Sequence, residues 1–391
     1  MPEAGQLTPR RVPRSPALDG LRGLAIAAVA LFHYPSRSWL PGGLFGVGVF
    51  FTLSGLLITP ILLEEQAMRG RLRFGRFLSN RAWRLLPALL VFLFVMLVGT
   101  VVFGHSGWFQ SAPFASPHPG RPLALGSMLK GIAAALTYTY NFFLAWSQPM
   151  PAPLGHLWTL AVEGQFYVAW ALLLPRLARR GPKVVMGVTV GLIALSATAP
   201  FVAWGHPGAE NWIYFASLPR VQQLLAGSLL GELFAFGYLQ RLPSLALKLS
   251  ALAGTGAIAY LMLEVGNVQL KYLGAMTIVA VAAPLLSAHL IDERASSAGK
   301  RLLGSAPLRW LGTRSYAVYL WHWPLAEWTN QLPHIWGEPL GLGCSLIAAE
   351  LSWRLVEQPA MALLHRRRAR SAPRPTEAER SFAGQGATTG A

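Results

Sequence analysis

The sequence predicts an all-α fold, a polytopic transmembrane helical bundle of about ten crossings with one re-entrant segment. Three observations carry this. The chain is 53% hydrophobic and only 13% charged, about half the charge of an ordinary water-soluble domain. Apolar runs of about 20 residues, enough at 1.5 Å per residue to cross a hydrocarbon layer, recur along nearly its whole length. Its arginines gather in short clusters between those runs, as cytoplasmic loops require.

Taken in order, the apolar segments are 18–34, 44–63, 85–103, 125–145, 156–175, 184–204, 219–239, 249–265, 272–290, 308–328 and 339–358. With the N-terminus inside, the first two deliver the basic 64–84 loop, bearing Arg69, Arg71, Arg73, Arg76, Arg81 and Arg84, to the cytoplasm. If 125–145 crossed fully, Arg179, Arg180 and Lys183 would fall outside. Treating it as re-entrant or surface-lying restores the rule and puts 179–183, 240–248, 291–307 and the tail inside. Lys130, Thr137, Tyr138, Thr139, Tyr140 and Asn141 give that segment the polarity of an interface or cavity. Both termini are then expected in the cytoplasm, with the protein in the inner or plasma membrane.

The expected organisation is a cytoplasmic N-terminal tail over 1–17, a transmembrane domain over 18–359 and a basic, disordered cytoplasmic tail over 360–391. Residues 104–122, rich in Pro, Gly, Ser and His, read as the longest outer loop. No small-residue cleavage site follows the first apolar run, so it reads as a retained helix rather than a signal peptide. A net charge of +17 could suggest nucleic acid, but the cations sit between apolar runs and not on a polar surface, which argues against that partner. Cys344 is the only cysteine, so neither an internal disulfide nor a thiolate metal cluster is expected, and no metal ligand set is assigned. Oligomeric state is not legible.

Polar groups within the apolar runs mark candidate function, because hydrocarbon excludes them unless they pair or line a cavity. Arg22 and His33 lie eleven residues apart, within about 20° of one helical face and roughly 16 Å apart along it. Each has a plain alternative: a snorkelling boundary arginine, and an interfacial histidine beside Tyr34. Glu163 falls midway along an apolar segment with His156 seven residues before it, nearly on the same face; neutralising an arginine is its structural reading. Tyr319 and His322 can share a face, with Pro324 leaving a carbonyl free nearby, and Arg220 opens another segment. Glu350 and Arg354 read as a structural i,i+4 pair. The glycines of 42–55 read as packing devices, since no phosphate-binding motif accompanies them. So many ionisable groups on different helices suggest an internal polar path or active site, and at this level a catalyst and a transporter look alike.

The motifs resemble the integral-membrane acyltransferases of acyltransferase family 3, which include O-acetyltransferases of bacterial surface polysaccharides and acyltransferases of macrolides. The likeness runs from Leu18 to Pro359 and rests on ordered signatures. These are Leu18-Asp19-Gly20-Leu21-Arg22-Gly23 followed by His33, Gly48 through Gly55, Asn80-Arg81-Ala82-Trp83-Arg84-Leu85-Leu86-Pro87, Trp158 through Tyr167, and Ser315-Tyr316 through His322-Trp323-Pro324. Thr159 stands where that pattern usually has Ser, and Gly164 where a second Glu is common. Many members add an extracellular hydrolase-like domain, for which the tail here is too short.

The resemblance implies transfer of an acyl group, acetyl by expectation, from acyl-coenzyme A to a hydroxyl of a cell-envelope glycan or secreted small molecule, with no permanently bound cofactor. His33 is then the expected base, with Glu163 orienting a histidine or compensating imidazolium charge. Arg22, Arg81 and Arg84 would clamp donor phosphates or steady the thioester oxygen, and His156, Arg220, Tyr319 and His322 are supporting positions. A covalent acyl-histidine would use the same residue. The competing class is a proton-coupled transporter or flippase.

Overall fold

The structure, a computed structural model, describes residues 9–34, 40–103, 124–263, 270–330 and 332–370. The expected outer loop at 104–122 therefore lies outside the described residues, as do the first eight residues and the tail beyond Arg370.

All regular structure among the described residues is helical. In chain order the α-helices are α1 (Pro16–Phe32), α2 (Gly46–Arg69), α3 (Phe74–Phe103), α4 (Leu125–Leu136), α5 (Tyr140–Ala145), α6 (Trp158–Ala178), α7 (Pro182–Ala203) and α8 (Ala209–Phe215). They continue with α9 (Ser217–Ala235), α10 (Ser244–Leu263), α11 (Ala275–Leu290), α12 (Ala298–Leu303), α13 (Ala306–Thr313), α14 (Ser315–Thr329), α15 (His334–Ser352) and α16 (Gln358–Arg370).

The protein is an all-α, multi-pass membrane protein, but the expectation of about ten crossings is corrected. Six helices among the described residues are long and apolar enough to cross a membrane: α2, α3, α6, α7, α10 and α11. A sequence window counts apolar residues whether or not one straight helix holds them. Residues 18–34 yield the 17-residue α1, about 26 Å long, and 308–328 divides at Arg314 between α13 and the 15-residue α14. Residues 219–239 form α9, whose Arg220, Gln222, Gln223, Ser228 and Glu232 are all buried. Residues 339–358 run through the end of α15 into a wider turn at Trp353–Glu357 and carry Glu350. Residues 125–145 break into α4 and α5, the longer having 12 residues, because Tyr138 adopts a left-handed φ of 55°.

Burial separates centre from periphery. The apolar window of α2 is 78% buried, whereas those of α7 and α10 are 28% buried and present their remaining side chains outward. The outward face of α3 carries Leu90, Phe94, Val98, Val101 and Phe103, a stripe that suits acyl chains and not water. The glycines expected to serve packing do so at the centre. A Cβ on Gly55 would strike the Leu224 carbonyl of α9, and one on Gly227 of α9 would strike the Thr52 carbonyl, so α2 and α9 meet backbone to backbone.

That close approach explains how the polar α9 is accommodated. Gln222 donates to the Pro219 carbonyl at 2.9 Å and accepts from Thr277 of α11 at 2.9 Å. Gln223 donates to the Met276 carbonyl at 3.2 Å, and Glu232 accepts from Thr189 of α7 at 2.8 Å. Enclosed by α2, α7 and α11, the helix pairs internally several polar groups that lipid would leave unpaired, though Gln223 Oε1 and Glu232 Oε2 find no partner among the described residues. On the opposite flank Glu350 of α15 receives Arg314 and Arg354 together, so the i,i+4 pair is formed and extended by a third residue.

Candidate active site

One cavity of about 120 Å³ opens among α1, α2, α3, α6 and α14. Its walls carry Arg22, Arg81, Arg84, Ser54, Glu163 and Tyr319. Arg22 reaches it from α1, one turn after Asp19, with its guanidinium 3.4 Å from the Asp19 carboxylate. The close packing of α1 on α13, where a Cβ on Gly312 would strike the Asp19 carbonyl, sets that helix in place. Arg81 and Arg84, three residues apart on α3, share the inward side, and the Arg81 guanidinium lies 5.5 Å over the Tyr167 ring.

Glu163 of α6 accepts hydrogen bonds from the Ser54 hydroxyl of α2 and the Tyr167 hydroxyl one turn further along α6. It makes no direct ion pair with an arginine among the described residues, nor a hydrogen bond to a histidine. Its direct hydrogen bonds are to hydroxyls, with Arg81 close enough to feel its charge. Three cations and one carboxylate leave the cavity wall net positive.

The histidines form a second group against the same wall. His33 ends α1 and is half-buried, with its ring 4.5 Å from the Trp323 ring and 5.1 Å from the Phe32 ring. Its Nδ1 stands 3.2 Å from Nε2 of the fully buried His322 on α14. The His156 ring is 5.8 Å from that of His322, and neither of its nitrogens has a hydrogen-bond partner among the described residues. His156 lies not in α6 but in the turn before it: residues Ala152–Leu157, opened by Pro151 and Pro153, wind at three residues per turn, and α6 starts at Trp158.

Tyr319 and Thr159 join the two groups. Both line the cavity, and their hydroxyls lie 2.5 Å apart, while the Tyr319 hydroxyl also donates to the His156 carbonyl. Trp323 ties α14 to the same turn by donating from Nε1 to the Ala152 carbonyl at 2.7 Å. Arg220 belongs to neither group. It is 1% exposed, with its guanidinium 4.8 Å over Trp158 and 5.0 Å over Tyr214, and its Nε has no hydrogen-bond partner among the described residues. Ser54 and Tyr167 are the residues whose roles the sequence did not disclose. Tyr167 was within reach, four residues after Glu163, whereas Ser54 lies 109 residues away in the chain.

Cations, a hydroxyl-bonded carboxylate and a histidine pair are thus gathered within one helical bundle. The chain belongs to the acyltransferase family 3, whose model, described as an acyltransferase domain, matches residues 15–350. Among curated proteins it is 32% identical over 364 residues to peptidoglycan O-acetyltransferase OatA of Listeria monocytogenes, covering 88% of this chain and 55% of that protein. It is 28% identical over 362 residues to O-acetyltransferase OatA of Staphylococcus aureus, covering 88% of this chain and 57% of the relative. The chain thus spans about half the length of the curated relatives it matches. No solved structure matches it.

Proposed function

We propose that the protein is a membrane-embedded O-acetyltransferase that moves an acetyl group from acetyl-coenzyme A to a hydroxyl of a cell-envelope glycan, with peptidoglycan the foremost acceptor. Family membership supports the reaction class, and the relative's activity on peptidoglycan supports the acceptor. The observation that carries the reading furthest is the net-positive cavity of Arg22, Arg81, Arg84 and Glu163, joined through Tyr319 and Thr159 to the His33–His322 pair.

In this reading the anionic donor is drawn to the arginines, which neutralise phosphate charge and the negative charge developing on the thioester oxygen. His33 accepts the proton of the acceptor hydroxyl as its oxygen bonds to the thioester carbonyl carbon. The carbon–sulfur bond then breaks, and the coenzyme A thiolate takes up the proton from the imidazolium. Glu163, fixed by Ser54 and Tyr167, sets the potential of the cavity and the position of Tyr167 beneath Arg81. The donor would enter from the cytoplasm and the acceptor from the opposite side, with both chain termini cytoplasmic.

Mass spectrometry of envelope glycans tests this in cells. A deletion strain should lose acetyl mass from its muropeptides, the intact gene should restore it, and His33→Ala should insert normally without restoring it. An unchanged acetylation pattern on deletion would remove the proposal, and normal complementation by His33→Ala would remove His33 as its base.

A further inference from the structure

The hydrogen-bond pattern around the buried histidine pair fixes more than proximity. Nδ1 of His322 lies 2.8 Å from the Tyr319 carbonyl and 3.1 Å from the Val318 carbonyl. Carbonyl oxygens only accept, so this nitrogen carries a hydrogen. In a neutral imidazole the other nitrogen then holds a lone pair, and here that nitrogen is Nε2. It faces Nδ1 of His33 at 3.2 Å, so a hydrogen bond between them requires the hydrogen on His33 Nδ1. The free lone pair of His33 is left on Nε2.

We propose that His322 is a positioning residue that holds His33 as its Nδ1–H tautomer, leaving Nε2 as the base toward the acceptor hydroxyl. This rests on the acyl-transfer reading for its consequence, though the tautomer itself does not depend on turnover. When His33 Nε2 takes a proton, Nδ1–H becomes the donor of a charge-assisted hydrogen bond to the His322 lone pair. His322 thus performs for His33 what a carboxylate performs for a catalytic histidine elsewhere, with two backbone carbonyls as the final acceptors. His33 Nδ1 keeps its hydrogen throughout, and only Nε2 gains and loses a proton.

The surroundings fix the geometry, and the Val29 backbone, one turn back on α1, adds a hydrogen bond to the His33 ring. The His33 ring is set edge-on between Phe32 and Trp323, and its backbone carbonyl accepts from Asn330 at 3.1 Å. The titratable groups about the pair are His156 on the turn before α6, Tyr319 on α14 and Tyr34, whose hydroxyl pairs with Ser345 of α15 at 3.2 Å. The Tyr319 hydroxyl is already engaged by Thr159 and the His156 carbonyl, and no carboxylate is hydrogen-bonded to either ring among the described residues.

Two variants and two readouts test the assignment on the full chain in lipid nanodiscs. His322→Leu removes the acceptor, whereas His322→Gln offers an amide oxygen in place of Nε2. Thiol release from acetyl-coenzyme A should fall roughly 10- to 100-fold in kcat for His322→Leu, with its KM nearly unchanged and the acid limb of its pH profile displaced. His322→Gln should recover about a tenfold part of that loss. Solid-state nitrogen NMR of histidine-labelled protein, with His33 assigned by difference against His33→Gln, should show His33 protonated at Nδ1 and bare at Nε2, mixing in His322→Leu. The opposite tautomer in the wild type, or one unaltered by His322→Leu, overturns the proposal. Absence of any thiol release by the wild type would sink the acyl-transfer reading alone, since the spectrum decides the tautomer independently.

Discussion

Gly164 stands beside Glu163 where the family pattern often has a second glutamate, and the structure gives a steric reason that can be measured. A Cβ at this position would lie 2.6 Å from Cε1 and 2.9 Å from Cγ of the Tyr138 ring, against an ordinary carbon contact of about 3.4 Å or more. The ring cannot simply withdraw. Tyr138 is held at a φ of 55° in the break between α4 and α5, and its carbonyl accepts from Gln165 at 2.7 Å. Gln165 is itself bonded to Asn141 at 2.9 Å and to Ser217 at 2.5 Å, which joins the break to α9. Gly164→Ala should therefore cost about 1–3 kcal/mol in overpacking and a further ~1 kcal/mol if the Gln165 bond yields. Tyr138→Gly removes the ring and suits the left-handed backbone, so the double variant should escape most of that cost, giving a coupling of about 1–3 kcal/mol. Unfolding in mixed micelles of rising SDS fraction, followed by tryptophan fluorescence, supplies the four stabilities. Effects that add within ~0.5 kcal/mol would refute the contact as the reason for glycine.

Three further outcomes follow from the same geometry. Arg81→Ala and Arg84→Ala should each raise KM for acetyl-coenzyme A about 10- to 100-fold, an effect that shrinks with added salt, as measured by initial rates at low and high ionic strength. Gly227→Val should prevent α2 and α9 from meeting and abolish accumulation of folded protein in the membrane, read by size-exclusion of the detergent extract. Arg314→Ala should destabilise more than Arg354→Ala in the same SDS titration, because the Arg314 side chain is 14% exposed and that of Arg354 is 69% exposed while both bind Glu350.

What the sequence disclosed and what it withheld divide along physical lines. Helices α2, α3, α6, α7, α10 and α11 were legible because long apolar runs bound by charge have one reading in a bilayer. Helices α1, α9 and α14 resisted because hydropathy windows do not see where a helix ends or whether its polar groups are enclosed. Arg314 interrupts one apolar run, and α9 hides Arg220 and Glu232 among its neighbours. Within the site, Arg22, Arg81, Arg84 and Glu163 carry motifs that the family resemblance brings together, and one cavity holds all four. Helical periodicity placed Tyr319 near His322, whereas the proline-bounded turn that holds His156 ahead of α6 left no mark in the hydropathy pattern. The His33–His322 contact joins residues 289 apart in the chain, a separation over which no local pattern carries information.

The central claim is that this bundle chemically consumes an acyl thioester with His33 as base, and purified protein in nanodiscs decides it. Supplied with radiolabelled acetyl-coenzyme A and a soluble muropeptide, the wild type should release thiol and acetylated muropeptide in equal amounts, and His33→Ala should slow both by roughly 10²- to 10⁴-fold. Release of neither product by well-folded wild type, or undiminished turnover by His33→Ala, would contradict it.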